Sequence, residues 1–275
     1  MSQIIHTPNP TKSSAIAWRF ICNSLLCLTL CNISQTAAKA GYLIDPVSGT
    51  VLFNDSTIYD DEVVSRSIGF TASFYGQSFS SITVSTNGNL NFSGTASYTN
   101  SGFPNSTAMI APLWDDLYIF AGTGESIVEN AVAGQYYAVT WDVSQYSYAV
   151  PSYQFQTVIF GADTNISGYN FLQNDIVFAY QRIDANFRGN SATIGLNAGD
   201  GIQFATLPGL INGNITDAEA GLLPTGAGQF TLMRYDGTGY QTSIVNVPEP
   251  SSFVLFGLGL GAVAIYRKKR GRTEG

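Results

Sequence analysis

The chain of 275 residues has a formal net charge of −7, but its charges are unevenly distributed. Residues 41–246 contain 17 acidic side chains, four arginines and no lysine. Phosphate contacts need a basic surface, which a stretch this acidic does not provide. We therefore expect no nucleic-acid partner. Once both ends are set aside as targeting segments, the remaining length fits one medium-sized domain.

Residues 1–40 are predicted to form a signal peptide. A weakly basic stretch is followed by an apolar segment at 20–33, which would be helical but is too short to span a bilayer comfortably. Ala38 and Ala40 then provide the small residues that signal peptidase recognises. This predicts a mature chain that begins at Gly41. A lipoprotein signal ending at Cys31 is the alternative, which the bulky Leu30 disfavours.

Loss of the signal peptide would remove all three cysteines and His6, the single histidine. The body would then have no thiol, imidazole or lysine amine. Ser-His-Asp and Cys-His catalysis, His or Cys zinc sites and Schiff-base lysines are excluded from such a chain. We therefore expect a protein that is not an enzyme and has no cofactor, apart from the calcium considered below.

Residues 41–246 consist of short alternating segments separated by turn residues, which predicts an all-β, β-sandwich-like body. Each strand is expected to bury one face only, against a second layer. Residues 41–64 are candidates for an extra edge strand. Three sets of residues are assigned to buried faces: Tyr137, Val139, Trp141 and Val143; Tyr153, Phe155, Thr157 and Ile159; and Ile176, Phe178 and Tyr180.

A hairpin is predicted around Asn87-Gly88-Asn89. A three-residue loop would pair Thr86 with Leu90 and Val84 with Phe92, which keeps one apolar face. In that register Asn89 would adopt the left-handed conformation.

The C-terminal residues 247–275 are predicted to form a sorting tail. Fourteen uncharged residues, 253–266, would form a helix of about 21 Å, which is short of the roughly 30 Å hydrocarbon core. With Ser251, Ser252 and snorkelling of the basic residues, the segment can just reach across it. The basic residues that follow would hold the end of the chain in the cytoplasm. The motif before the helix is Val247, Pro248, Glu249 and Pro250, and the basic stop after it is Arg267, Lys268, Lys269 and Arg270.

This order of motif, helix and basic stop resembles the tail of PEP-CTERM proteins of Gram-negative bacteria. The resemblance implies recognition by an exosortase, a membrane protease, near Pro248 to Pro250. It also implies a transient anchor in the inner membrane and a final place at the cell surface or in the extracellular matrix. An ordinary, uncleaved single-pass anchor is the alternative.

The body resembles the nidogen-like (NIDO) domain over residues 65–237, through segments that occur in the same order. NIDO domains are extracellular and occur in matrix and adhesion proteins, so the resemblance implies location and architecture rather than chemistry. The matching segments are 84–92, Phe103-Pro104, 110–117, 139–141, Phe155-Gln156, 176–178 and 192–201.

Two groups of residues are candidate sites. Asp115 and Asp116 follow Trp114 and could bind Ca²⁺ through carboxylate oxygens, and the acidic run at 60–62 raises the same question. Turn capping beside a buried Trp114 is the alternative that we favour. Tyr146, Tyr148 and Tyr153 could form an exposed platform that stacks on sugar rings, but ordinary core and edge packing is the alternative that we favour.

Together these features predict an exported, exosortase-processed protein of the cell surface or exopolysaccharide matrix, with a structural or adhesive role in a biofilm. Its expected partners are signal peptidase, exosortase, the membrane before processing, and exopolysaccharide. A carbohydrate-active enzyme that uses paired carboxylates is the first alternative. An uncleaved, membrane-anchored surface protein is the second.

Overall fold

The described part of the body contains 17 strands separated by turns, in agreement with the short alternating segments of the sequence. The computed structural model describes residues 41–94, 97–100, 102–150, 153–183, 192–207, 219 and 221–247. All of them lie within one unit of the chain. The strands are β1 (Thr50–Asn54), β2 (Tyr59–Asp60), β3 (Val63–Phe74), β4 (Gln77–Ser85), β5 (Leu90–Asn91), β6 (Met109–Trp114), β7 (Leu117–Ile119), β8 (Ser126–Val132), β9 (Tyr136–Gln145), β10 (Tyr153–Phe160), β11 (Thr164–Ile166), β12 (Tyr169–Phe171), β13 (Ile176–Ile183), β14 (Thr193–Asn197), β15 (Phe204–Ala205), β16 (Gln229–Tyr235) and β17 (Tyr240–Asn246).

The strands form two large sheets and a separate hairpin. The larger sheet has nine strands, in the order β1-β8-β9-β10-β13-β16-β17, with β7 paired to β9 and β2 paired to β7. The smaller sheet has six strands, in the order β15-β14-β6-β5-β4-β3, and β11 and β12 pair with each other. All these strand pairs are antiparallel. The all-β prediction is confirmed, and β1 is the extra edge strand expected within residues 41–64.

The main hydrophobic core contains residues of both large sheets, in keeping with the sandwich-like packing expected from the sequence. Trp141 of β9 is fully buried, and its indole Nε1 donates to the carbonyl oxygen of Ser85 in the smaller sheet at 2.9 Å. The hydroxyl of Tyr180 in β13 donates to the carbonyl oxygen of Pro112 in β6 at 2.8 Å. Each bond satisfies the polar atom of a large aromatic side chain, which would otherwise be buried without a hydrogen-bond partner.

The expectation that each strand buries one face only was wrong for the central strands. On the opposite face of the nine-stranded sheet, Ala138, Val158 and Phe160 belong to a second buried cluster. Leu43 and Ile44 at the start of the described chain, together with the β11–β12 hairpin, contribute side chains that pack there. The ring of Phe171 in β12 stacks on that of Phe160, with centroids 4.5 Å apart.

The hairpin at β4 and β5 has a loop of the predicted three residues, but the loop is 86–88 instead of 87–89, so the partner of Val84 is shifted by two residues. Val84 pairs with Leu90, and the backbone N–H of Ser85 donates to the carbonyl oxygen of Asn89 at 3.0 Å. The left-handed position is therefore Gly88, with φ of +71°, and not Asn89. Glycine carries no Cβ, so it adopts this conformation without the steric cost that asparagine would bear.

The predicted segments at the two ends lie outside the described residues: the signal-peptide helix, Ala38 and Ala40, Pro248 to Pro250, the tail helix, and the basic stop. Among the residues that the structure does describe, no helix combines the length and hydrophobicity needed to cross a membrane.

Candidate functional site

The Trp114-Asp115-Asp116 segment connects β6 of the smaller sheet to β7 of the larger one. Asp115 is 1% exposed, and its Oδ2 accepts a hydrogen bond from Gln145 Nε2 at 3.5 Å. Asp116 is half-buried, and its carbonyl oxygen accepts from the backbone N–H of Tyr146 at 2.9 Å. The two adjacent carboxylates therefore sit at a fixed turn between the sheets.

Four aspartates lie around this turn and interact electrostatically, and we call them the acidic cluster: Asp60, Asp61, Asp115 and Asp116. The β2–β7 pairing brings the first two, since Asp60 lies opposite Tyr118. Burial raises the pKa of Asp116 to about 6, and the charges of Asp60, Asp61 and Asp115 add to the rise. Burial, followed by the charge of Asp61, also raises the pKa of Asp60. Asp60 and Asp116 thus hold their protons more firmly than isolated aspartates do, because burial and neighbouring negative charge both disfavour their ionised forms.

The side-chain amide of Asn87, in the β4–β5 loop, bonds to both chain segments that carry the acidic cluster. Asn87 is fully buried, and its Nδ2 donates to Asp61 Oδ1 at 2.7 Å. Its Oδ1 accepts from the backbone N–H of Leu117 at 2.9 Å. Sequence reasoning assigned Asn87 to a turn and missed this role, because its two partners are distant in the chain.

Calcium was considered for Asp115 and Asp116. In the described ranges, no three His, Cys, Asp or Glu side chains are grouped so that they could hold a metal ion. A calcium ion at this turn would thus need amide and carbonyl oxygens as further ligands. The calcium assignment stays a prediction.

The expected tyrosine platform needs correction at one position. Tyr146 is 50% exposed and Tyr148 is half-buried, but Tyr153 is 1% exposed and belongs to the main core. The alternation of β10 points Tyr153 inward, where its hydroxyl donates to Gln145 Oε1 at 3.4 Å. Tyr153 therefore cannot contact a ligand at the surface.

Two other aromatic residues take its place beside Tyr146. In the Leu117-Tyr-Ile-Phe120 run, the leucine and isoleucine are buried, whereas Tyr118 and Phe120 are half-exposed. The ring centroid of Tyr118 lies 4.5 Å from that of Phe120 and 5.6 Å from that of Tyr146. We call Tyr118, Phe120 and Tyr146 the aromatic surface. The alternation of this run could have revealed the first two, but their proximity to Tyr146 comes from the β7–β9 pairing.

The aromatic surface adjoins the acidic cluster. Asp60 lies opposite Tyr118 across the β2–β7 pair. Partial burial, followed by the charges of Asp60 and Tyr146, raises the pKa of the Tyr118 hydroxyl. The half-exposed rings can stack on an apolar face of a ligand. The carboxylates beside them can accept hydrogen bonds from ligand hydroxyl groups next to that face.

The residues that flank the two expected cleavage sites are part of the folded body. Gly41 lies against the Gln181 side chain, and Tyr42 is buried. Val247 is 1% exposed in the second cluster, and its N–H donates to the carbonyl oxygen of Gly228 at 2.7 Å. Val247, the first residue of the expected sorting motif, therefore packs on the body.

Comparison with known families agrees with both resemblances found in the sequence. A family model described as NIDO related matches residues 35–220, a span that begins and ends earlier than the 65–237 predicted. A second model, described as the PEP-CTERM protein-sorting motif, matches residues 246–270. No curated protein and no solved structure matches the chain.

Proposed function

The chain belongs to the NIDO-related family and carries the sorting motif of exported, exosortase-recognised surface proteins, and we propose that it is a non-enzymatic adhesin for exopolysaccharide. In this proposal the exosortase releases the protein from a transient anchor in the inner membrane. The folded body then remains at the cell surface or in the matrix, where it contacts polysaccharide.

The observation that carries this proposal is the aromatic surface. The ring of Tyr118 contacts those of Phe120 and Tyr146, and all three residues stand on short, paired strands or at their ends, so they lose little conformational freedom on binding. Aromatic faces stack on the apolar faces of sugar rings, and the neighbouring carboxylates can accept hydrogen bonds from sugar hydroxyls. A repetitive polymer would meet such a surface many times, so weak single contacts give useful retention.

Polysaccharide pull-down with the purified native protein tests the proposal. The triple variant Tyr118→Ser, Phe120→Ser, Tyr146→Ser should lower retention on the polysaccharide secreted by the source organism about tenfold or more. Phe204→Ser is the matched control, because Phe204 is 41% exposed but lies in β15 of the other sheet. Equal retention of the triple variant and the wild type, with unchanged circular dichroism, would exclude the aromatic surface.

The raised pKa of Asp116 supports one competing function. A carboxyl that titrates near 6 beside other carboxylates is suited to general acid or base chemistry on glycosidic bonds. Release of reducing ends from the same polysaccharide would show turnover, and its loss in both Asp115→Asn and Asp116→Asn would assign it to this pair. Under the adhesive proposal, the wild-type protein releases none.

A further inference from the structure

A concave site that shares no residue with the aromatic surface lies where the smaller sheet meets the loop before β6. It encloses about 170 Å³, and its lining includes Asn89, Asn105, Ser106, Thr107, Met109 and Trp114. Nothing in the proposed function uses these residues.

The wall formed by residues 105–107 is held in place by a buried amide. Asn197 of β14 is fully buried, and its Nδ2 donates to Asn105 Oδ1 at 2.8 Å and to the Thr107 carbonyl oxygen at 2.6 Å. The backbone N–H of Asn105 returns a hydrogen bond to Asn197 Oδ1 at 3.3 Å. The wall is thus positioned before any ligand arrives, which lowers the entropic cost of binding.

The base of the pocket is also held by contacts within the protein. Trp114 is 4% exposed, and its Nε1 donates to the carbonyl oxygen of Ser97 at 2.8 Å. Its ring stacks on that of Phe103, with an interplanar angle of 22°. Asn89 is 1% exposed, and its Oδ1 accepts from Asn91 Nδ2 at 3.0 Å. These contacts fix one apolar side chain and one amide at the base of the pocket.

The chemistry of the lining indicates the class of ligand. No described residue of the lining is charged, which disfavours anions and cations alike. The amides and hydroxyls offer both donors and acceptors, and Met109 and Trp114 provide an apolar patch. Drug-sized ligands occupy pockets of roughly 300–1,000 Å³. This smaller pocket suits a compact, neutral ligand with several hydroxyl groups.

We propose that this pocket binds a single neutral sugar residue. The hydroxyls of Ser106 and Thr107, with those of Ser97 and Thr99 on the same lining, bond the sugar hydroxyls, and Trp114 and Met109 form the apolar base beneath its C–H face. The site is independent of the aromatic surface. In a matrix protein it would recognise a terminal or branching sugar rather than the length of a chain.

Saturation-transfer difference NMR on the purified native protein tests this inference. The probes are glucose, galactose, mannose and N-acetylglucosamine, each at about 10 mM, because a ligand of this size is expected to have Kd on the order of 1 mM. At least one neutral sugar should receive saturation. Glucuronic acid and glucosamine, which are charged, should receive markedly less.

Two variants place the binding in the pocket. Ser106 is exposed at the rim, so Ser106→Leu should block the opening and weaken binding about tenfold without disturbing the core. Thr107→Val keeps the side-chain shape but removes one hydroxyl, so binding should weaken about fivefold. Ser80→Leu, an equally exposed position in β4, is the control and should bind as the wild type does.

Three results would overturn the inference. They are absence of saturation for every neutral sugar, unchanged binding in Ser106→Leu, and loss of binding in the aromatic-surface triple variant instead. The last result would support the proposed function while removing this pocket. Conversely, monosaccharide binding lost in Ser106→Leu alone would support the pocket even if the polysaccharide pull-down failed.

Discussion

Gln156 shows how one side chain can attach a whole segment. Its Oε1 accepts from the backbone N–H groups of Leu43 and Ile44, at 3.1 and 3.0 Å. Its Nε2 donates to the carbonyl oxygen of Ile44 and to Thr140 Oγ1, both at 2.7 Å. A fully buried amide therefore replaces strand pairing for a segment that belongs to neither sheet.

Replacement of this amide should destabilise the protein strongly. Gln156→Leu would leave two backbone N–H groups and one carbonyl buried without their partner, at a cost of about 3 kcal/mol in the free energy of unfolding. Urea denaturation of the variant measures this loss. Gln77→Leu changes an exposed residue of β4 and should stay within about 0.5 kcal/mol of the wild type. A Gln156→Leu variant as stable as this control would contradict the attachment.

Asp116 is expected to lower stability at neutral pH. Its pKa of about 6 in the folded protein exceeds the ordinary value of 3.8. Between these two pH values, Asp116 is therefore more often protonated in the folded state than in the unfolded state. The contribution of Asp116 to stability therefore falls as pH rises from about 4 to about 6. Asp116→Asn should raise the free energy of unfolding at pH 7 by about 1 kcal/mol after solvent screening, with little gain near pH 3.5.

Asp236 provides the control of opposite sign for that experiment. Hydrogen bonds from Thr238, and then from the Gly239 N–H, lower the pKa of Asp236 to about 2. Its ionised form stabilises the fold above the ordinary pKa, and this contribution is lost as pH falls toward 2. Asp236→Asn should therefore lower the melting temperature at pH 7, whereas Asp116→Asn raises it. The same direction in both variants would refute the electrostatic account.

At the scale of elements, the β4–β5 hairpin connects the smaller sheet to the acidic cluster. Its tip packs against the strand that precedes the cluster, since the N–H of Leu113 donates to the Gly88 carbonyl oxygen at 3.3 Å. A Cβ built on Gly88 would lie 1.9 Å from the Leu113 carbonyl oxygen. The loop register thus depends on a close backbone approach as well as on the sign of φ.

Gly88→Ala should destabilise the protein by about 3 kcal/mol, because left-handed strain and a backbone clash add together. Gly76→Ala is a matched control. Gly76 also has a positive φ, of +79°, but nothing lies within 4 Å of its Cβ position. It should cost about 1 kcal/mol from conformation alone. Thermal unfolding followed by circular dichroism compares the two, and equal losses would show that the close approach does not matter.

At the scale of the whole molecule, both expected cleavage sites adjoin buried chain. The segment from Gly41 to Ile44 and the side chain of Val247 pack on the same face of the nine-stranded sheet. Cleavage beside such segments requires that the flanking chain be unfolded or extended when the protease acts. We therefore expect signal-peptide removal to precede folding of the body.

Intact mass spectrometry of the native protein tests the processing of both ends. The mature chain should begin at Gly41 and lack the basic stop, residues 267–270. Fractionation should recover it from the cell surface or matrix. A protein that keeps the basic stop and stays with the inner membrane would instead be the uncleaved anchor. A chain that still begins at Met1 would contradict the signal-peptide prediction.

The sequence by itself determined the features that are encoded in neighbouring residues. Period-two alternation predicted the central strands and their inward faces, because strand geometry depends on consecutive residues. The sorting motif could be read for the same reason, since it is a contiguous stretch. The length of the hairpin loop, three residues, was also predictable. Its position was not, because the close approach of Gly88 to the Leu113 carbonyl oxygen depends on a strand distant in the chain.

Tertiary structure alone decided which distant residues share a site. Asp60 and Asp116, or Tyr118 and Tyr146, come together through strand pairings whose register no local pattern specifies. Tyr153 lies in the core and not at the surface, because the alternation of β10 points it toward the smaller sheet. The sugar pocket likewise depends on Asn197 reaching back about ninety residues to Asn105 and Thr107. Long-range pairing minimises buried, unpaired polar groups over the whole chain, so no short segment contains that information.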